Sequence, residues 1–150
     1  MPTEIKISAS LRSAITEKDR QAVMALLAEQ GLPVSDITEN TLLYSLLDGD
    51  KVIGTAGLDI FDDSALVRSV SVLKELQGKG YGKFLNGLVE LAAKEKEINC
   101  LYLITNTAGG FFGRRGYSII DREAAPETIK QTGQFSTLCP SSAVVMKKNI

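Results

Sequence analysis

The spacing of apolar residues changes period several times along the chain, and each change marks an element. ASLRSAI (residues 9–15) alternates as a strand does. The following ITEKDRQAVMALLAEQG brings Val23, Leu26, Leu27 and Gln30 onto one helical face, with Ala22 alongside. Thr16 stands at the start of that helix with Asp19 three residues on, and Gly31 stands at its end. This is the pattern that satisfies orphan amides at one terminus and lets the chain leave through a left-handed residue at the other. From Thr41 the period becomes two. TLLYSLL, KVIGTAGLDIF and ALVRSVSVL are joined by DGD and DDS, which predicts three antiparallel strands linked by tight turns. After Gly80 the helical period returns, with Phe84, Leu85, Leu88, Val89, Leu91 and Ala92 forming a broad stripe that ends in KEKE.

CLYLIT (100–105) reads as a buried strand. NTAGGFFGRRG reads as a short helix with Asn106 near its start and Gly116 near its end, weakened by Gly109, Gly110 and Gly113. YSIID and AVVMKK are two closing strands. The long connection between them predicts a short helix over Pro126–Gln131 and a contribution to a site. The order β-α-β-β-β-α-β-α-β-β is that of an α/β (α+β) protein with a mixed sheet and helices over its faces.

Composition narrows the functional classes. With 150 residues, 44% hydrophobic and 23% charged, the chain suits one soluble domain, residues 1–150. A net charge of -1 gives no global basic field, so small molecules are the expected partners, rather than nucleic acid or membrane. MPTEIKISAS has neither the basic start nor the apolar centre of a signal peptide, and no apolar run approaches the roughly 18 residues of a membrane span, so a cytoplasmic location is expected. Cys100 and Cys139 have no CxxC spacing and there is no histidine, so no metal is expected. Cys100 reads as a buried thiol.

Three glycines, Gly78, Gly80 and Gly82, separate the alternating run from the helical one. Glycine costs roughly 0.5–1 kcal/mol against alanine inside regular structure, so a cluster marks main chain that turns sharply or is closely approached. QGKGYGKF fails the dinucleotide fingerprint because Lys83 replaces the last glycine. It fails the P-loop pattern because Gln77 and Phe84 occupy fixed places. The physics of both motifs still applies, since glycines at a strand-to-helix junction expose amides beside the positive end of the helix, where an anion can bind. The competing reading is a glycine-rich turn between scaffold elements with its lysines solvated.

The pattern Gln77-x-x-Gly80-x-Gly82, just before an amphipathic helix and five residues after an alternating strand, resembles the acyl-CoA motif of the GNAT superfamily of N-acetyltransferases. The preceding SVSVLKEL and the element order resemble the family too. VRSVSV, FFGRRGY and FSTLCPSSAVVM are similar to its small amino-acid-type members, including acetylglutamate-synthase-like and arsenic-resistance-associated proteins. The resemblance implies a mixed, mainly antiparallel sheet of about seven strands flanked by helices. It also implies acetyl-CoA as co-substrate. The amides from Gly78 through Lys83, including those of Lys79, Gly80, Tyr81 and Gly82, would hold the diphosphate, with Gln77 opening the motif and Lys79 and Lys83 adding charge. The main chain at Val70 and Val72 would pair with the pantetheine arm. The Val70 amide would face the acetyl carbonyl, a placement worth about 2.7–4 kcal/mol for developing oxyanion charge. Asn106 matches a cofactor-arm contact, with a plain helix cap as its alternative.

The implied reaction is direct attack of a neutral amine on the thioester, in which placement does most of the work. An α-amino group, with a pKa of about 7.7–8.0, demands only a weak base or a water chain. Asp59, Asp62, Asp63 and Glu39 lie at or beyond strand ends and are the candidate bases, with solvated turn carboxylates as the alternative for Asp62 and Asp63. Where many members of the family carry a tyrosine that protonates the leaving thiolate, this chain has Phe112, and Tyr117 reads as a packed strand residue. Alternation puts Leu66, Arg68, Val70 and Val72 on one strand face, so Arg68 adds a permanent charge to an apolar row. Its fork suits a substrate carboxylate in two-point contact; an internal salt bridge is the alternative. The implied acceptor is the primary amine of an amino acid or analogue. A non-catalytic acyl-CoA sensor, an acetyltransferase for a peptide or polyamine, and a partner-binding domain are the competing readings. An exposed edge strand is where two copies could pair as a homodimer.

Overall fold

A computed structural model describes residues 8–133, 135 and 143–150. Seven strands, β1 Ser10–Ser13, β2 Leu42–Asp48, β3 Lys51–Phe61, β4 Ser64–Val72, β5 Cys100–Thr105, β6 Ser118–Ile120 and β7 Val144–Asn149, form one sheet in the order β1-β2-β3-β4-β5-β7-β6. Every neighbouring pair is antiparallel except β4 and β5. The predicted strands all appear, and CLYLIT and KVIGTAGLDIF have the predicted bounds.

The helices are α1 Glu17–Glu29, α2 Tyr81–Glu95, α3 Gly109–Gly113 and α4 Glu127–Lys130. Thr16 caps α1 through its side-chain oxygen, which accepts from the Asp19 amide at 3.1 Å. Val23 and Leu27 are buried and Met24 packs beside them, while Ala22 faces solvent, contrary to the face drawn from the sequence. Along α2, Leu85, Val89 and Ala93 form the buried line at i, i+4, i+8. Leu91, included in the predicted stripe, is 57% exposed because it lies about 200° around the helix from Val89. The predicted helix from Asn106 to Gly116 shrinks to Gly109–Gly113, in keeping with the helix-weakening effect of three glycines. No described helix is long and apolar enough to cross a membrane.

The two faces of the sheet are covered differently. On one, α2 and α3 pack on a continuous core that includes Ile53, Ala56, Leu58, Val67, Leu85, Val89, Leu101 and Phe112. Full burial of each large side chain contributes roughly 1.5–3 kcal/mol. On the other face two smaller clusters are separate: Leu27 and Leu43 under α1, and Leu66, Tyr102, Val145 and Ile129 under α4. Cys100 belongs to the second cluster as a buried free thiol. Cys139 and most of FSTLCPSS lie outside the described residues. Between those clusters the sheet is polar. Thr55 and Ser71 are buried there with their hydroxyl oxygens 2.7 Å apart.

A bulge in β4 corrects the simple alternation. Gly57 pairs with Arg68 and Thr55 with Ser71, so Ala56 alone faces both Ser69 and Val70. Ser69 takes φ 57°, an uncommon conformation for a side-chain-bearing residue. The extra residue reverses the parity of everything beyond it. Arg68 stays with Leu66 on the polar face, whereas Val70 and Val72 turn to the α2 side with Val67. The expected common face of residues 66, 68, 70 and 72 is therefore broken in its middle.

The bulge requires close main-chain approach from β3. A Cβ at Gly54 would lie 2.8 Å from the Ser71 carbonyl oxygen, which cannot rotate away. Gly54→Ala is expected to cost about 1–3 kcal/mol, read as a lower urea midpoint at an unchanged slope.

Candidate active site

Parallel pairing between β4 and β5 runs only from Ser64↔Cys100 to Leu66↔Tyr102. Beyond it β5 continues to pair with β7, and β4 continues along β3 after the bulge. The two strands separate into a cleft of about 600 Å³, lined by residues 67–72 of β4, Gln77, Leu103 to Thr105, Thr107, Ala108, Phe111 and Phe112. Gln30, Leu32 and Pro33 close one side. Val72 is buried with its side chain in the α2 core, so main chain is what β4 offers a ligand there.

At the end of β4 a 3₁₀ turn, Lys74–Leu76, leads into the glycine loop. Gly78 has φ 80° and Gly80 φ 91°, the left-handed values that favour glycine. Gly80 is the N-cap of α2 and supplies no side-chain cap. The Phe84 amide bonds the Gly80 carbonyl at 3.1 Å, so the amides of Tyr81, Gly82 and Lys83 precede the first satisfied donor of the helix. Gly82 is small for another reason: a Cβ there would meet the Phe111 ring at 3.3 Å. Two glycines thus turn the chain and the third admits a neighbour. The Gln77 side-chain amide donates to the Val72 carbonyl at 3.1 Å and ties the loop to β4. Lys79 and Lys83 are exposed, and no ion pair engages them among the described residues.

Across the cleft the turn before α3 is held by Thr105, whose hydroxyl oxygen accepts from the Ala108 amide at 2.9 Å. Thr105, rather than Asn106, therefore receives that amide. Asn106 lies between the cleft residues Thr105 and Thr107. Phe112 is a cleft residue, buried, and meets Tyr117 edge-on with ring centroids 5.5 Å apart. Tyr117 is in the α2-side core, not in the cleft, and its buried hydroxyl has no hydrogen-bond partner among the described residues. Burial, and then the Glu90 charge, push its pKa well above the ordinary tyrosine value. A proton held that tightly is a poor donor to a thiolate.

Arg68, at the edge of the cleft, extends toward the α1–β2 connection. Its stem passes over Gly57, where a Cβ would stand 3.3 Å from Arg68 Cγ. The Arg68 side chain is 1% exposed. Nη1 and Nη2 donate to the two oxygens of Asp36 at 2.6 Å each, Nη1 also reaches Asp59 at 3.3 Å, and Nε donates to Ser69 Oγ at 3.1 Å. The internal salt bridge weighed as an alternative for Arg68 is thus present. Burial alone would depress the guanidinium pKa, but the Asp36 and Asp59 carboxylates outweigh it and raise it. Thr41 donates its hydroxyl to the other Asp59 oxygen at 2.7 Å. Beyond this cluster lies a second cavity of about 440 Å³, to which Asp36, Thr38, Asn40, Asp59, Thr132 and Gly133 contribute. Glu39, Asp62 and Asp63 are exposed; Asp63 receives Asn99 at 3.3 Å as a turn carboxylate. Asp36 carries no signal in the sequence, since SDITEN is an aperiodic polar loop in which no acidic residue stands out.

Comparison with known proteins agrees with this geometry. The sequence profile of the acetyltransferase (GNAT) domain matches residues 39–119, and the chain belongs to that family. An uncharacterised N-acetyltransferase of Chlorobaculum tepidum is 34% identical over 80 residues, 53% of this chain and 51% of the relative. A ribosomal-protein alanine N-acetyltransferase of Haemophilus influenzae is 29% identical over 86 residues, 55% of this chain and 59% of the relative. These matches span between half and three fifths of each relative's length. Among solved structures, N-acetylglutamate synthase from Neisseria gonorrhoeae, complexed with coenzyme A and N-acetyl-glutamate, superposes with a TM-score of 0.76 at 20% identity. That match covers 96% of this chain and 35% of the synthase chain. The seven-stranded mixed sheet flanked by helices is the GNAT fold.

The Tyr117 environment gives a pH prediction. The folded protein holds the phenol proton more tightly than the unfolded chain, so stability from this group is complete below about pH 10 and falls as pH rises further. Tyr117→Phe removes that loss and an unpartnered buried hydroxyl. The melting temperature of the variant relative to wild type is expected to climb between about pH 9.5 and 11.5.

Proposed function

We propose that this chain is an N-acetyltransferase, moving an acetyl group from acetyl-CoA to the primary amine of a small acceptor that carries a carboxylate. The observation that carries the reading is the separation of β4 from β5 beside the glycine loop that opens α2. Main-chain donors at residues 81–83, with Lys79 and Lys83 nearby, suit a diphosphate. The extended backbone of β4 around Val70 and Val72 suits an amide-bearing arm, which would add to the sheet edge as a strand does. When bound, acetyl-CoA supplies an activated thioester, and the chain's residues serve to place it. The Val70 amide, beside the bulge, is the candidate donor toward developing oxyanion charge.

In the transfer the amine nitrogen forms a bond to the acetyl carbon, the carbon–sulfur bond breaks, the amine gives up a proton, and the thiolate leaves. Asp59, one of the carboxylates lining the second cavity beside Arg68, is the candidate base in this reading. Phe112 has no proton to give, so the thiolate leaves unprotonated or takes its proton from water.

A carboxylate-bearing acceptor is supported by Arg68, a permanent cation between the two cavities. The solved synthase complexed with N-acetyl-glutamate shares the fold. A second reading, a cationic peptide or polyamine acceptor, draws on the excess of two carboxylates over one guanidinium at the same place.

The test measures thiol release from acetyl-CoA over free amino acids, their phosphorus- and arsenic-containing analogues, polyamines and peptides, each amino acid beside its decarboxylated amine. Carboxylate acceptors are expected to have the lower KM. Arg68→Lys, which keeps the charge and loses the fork, is expected to raise that KM roughly tenfold or more. An unchanged acceptor KM in a folded Arg68→Lys protein would remove the substrate role. A second expectation concerns the loop. Gly80→Ala forces a left-handed alanine, a strain of roughly 1–2 kcal/mol, and is expected to raise the KM for acetyl-CoA while leaving the acceptor KM unchanged.

A further inference from the structure

Arg68 has almost nothing left to offer a substrate while Asp36 is in place. Four of its five N–H groups are committed: Nε to Ser69, Nη1 to Asp36 and Asp59, and Nη2 to Asp36. The planar edge that accepts a carboxylate in two-point contact is filled by Asp36, with both bonds at 2.6 Å. An entering carboxylate has the same charge and the same pair of oxygens as the side chain already there.

The two aspartates are held differently. Asp59 belongs to β3, where it pairs with Leu66 of β4, and its other oxygen is fixed by Thr41. Asp36 belongs to the connection between α1 and β2, outside any helix or strand. That connection is fastened at Thr38 and Thr41, whose carbonyls each accept an Arg20 guanidinium nitrogen at 2.7 Å, and Ile37 bonds back to Val34 at 3.1 Å. The Asp36 side chain is 13% exposed and faces the second cavity, which has room to take a displaced carboxylate.

We infer that Asp36 is a specificity-determining residue that stands in for the acceptor's carboxylate on Arg68, so an acceptor binds by exchanging with it and moving the segment around residue 36. This rests on the carboxylate-acceptor reading given above. Exchange of one carboxylate for another conserves the charge around the buried guanidinium, which Asp59 continues to offset. An amine without a carboxylate cannot displace Asp36 and meets a closed site. The internal contact therefore sets the affinity of the right acceptor and excludes the wrong one by the same bond.

The experiment compares wild type, Asp36→Asn and Asp36→Ser using the amino acid of lowest KM and its decarboxylated amine. Removing the internal competitor is expected to lower the amino acid's KM by about fivefold or more. The decarboxylated amine, which no longer meets a closed site in the variants, is expected to show a lower KM as well. Both variants should melt at lower temperature than wild type, and the amino acid alone should raise their melting temperatures by more than it raises that of wild type. In wild type, saturating amino acid should speed amide hydrogen exchange in residues 34–38. An unchanged or raised amino-acid KM in the variants, or slower exchange over 34–38 in wild type, overturns the inference. If Arg68→Lys nevertheless raises the amino-acid KM, the carboxylate reading survives that result. If wild type treats amino acid and decarboxylated amine alike and Arg68→Lys changes neither, both readings fall together.

Discussion

A guanidinium inside a protein is tolerable only when carboxylates and hydrogen bonds replace the water it has lost. Arg68 meets that condition with partners from three segments: Asp36 from the α1–β2 connection, Asp59 from β3 and Ser69 from the bulge in β4 itself. Truncating one partner of such a buried pair typically costs about 3–5 kcal/mol, because the other charge is left exposed to a poor solvent. The condition therefore holds the connection, the strand and the bulge in one arrangement. Because the bulge is fixed, β4 presents its main chain to the cleft instead of to β5. The cleft between β4 and β5 thus depends on a buried charge that Asp36 and Asp59 hold in place.

The start of α2 is built by different means. Its terminus is not capped by a side chain, and the chain arrives through two left-handed glycines. Main-chain donors of this kind need no ordering of long side chains to hold their positions. The lysines at 79 and 83 lie in solvent, where they raise the local concentration of anions and are screened by salt. Position and charge are in this way assigned to separate groups.

Much of this was legible in the residues and some was not. Periods of two and 3.6 placed the strands and α2, because each element buries one face against a continuous core. The motif around Gly80 pointed to the correct junction, since glycine is the residue whose backbone freedom a tight strand-to-helix turn demands. The bulge escaped, because one inserted residue leaves VRSVSV looking like regular alternation while reversing the sides of Val70 and Val72. Asp36 escaped because ion pairing across 32 residues leaves no local trace. Arg68 was conspicuous as a charge in an apolar row, yet the identity of its partner required the fold. Gly82 was visible as part of the cluster, but its reason, the Phe111 ring, lies in an element nearly thirty residues away.

That contact between Gly82 and Phe111 carries a practical lesson for transplanting such loops. The first turn of α2 and the lip formed by α3 meet through an aromatic ring that a methyl group at residue 82 would crowd. The segment from Gln77 to Phe84 is consequently not a portable cassette. Moved into a foreign scaffold without a ring to rest on residue 82, it would keep its bends and lose its brace.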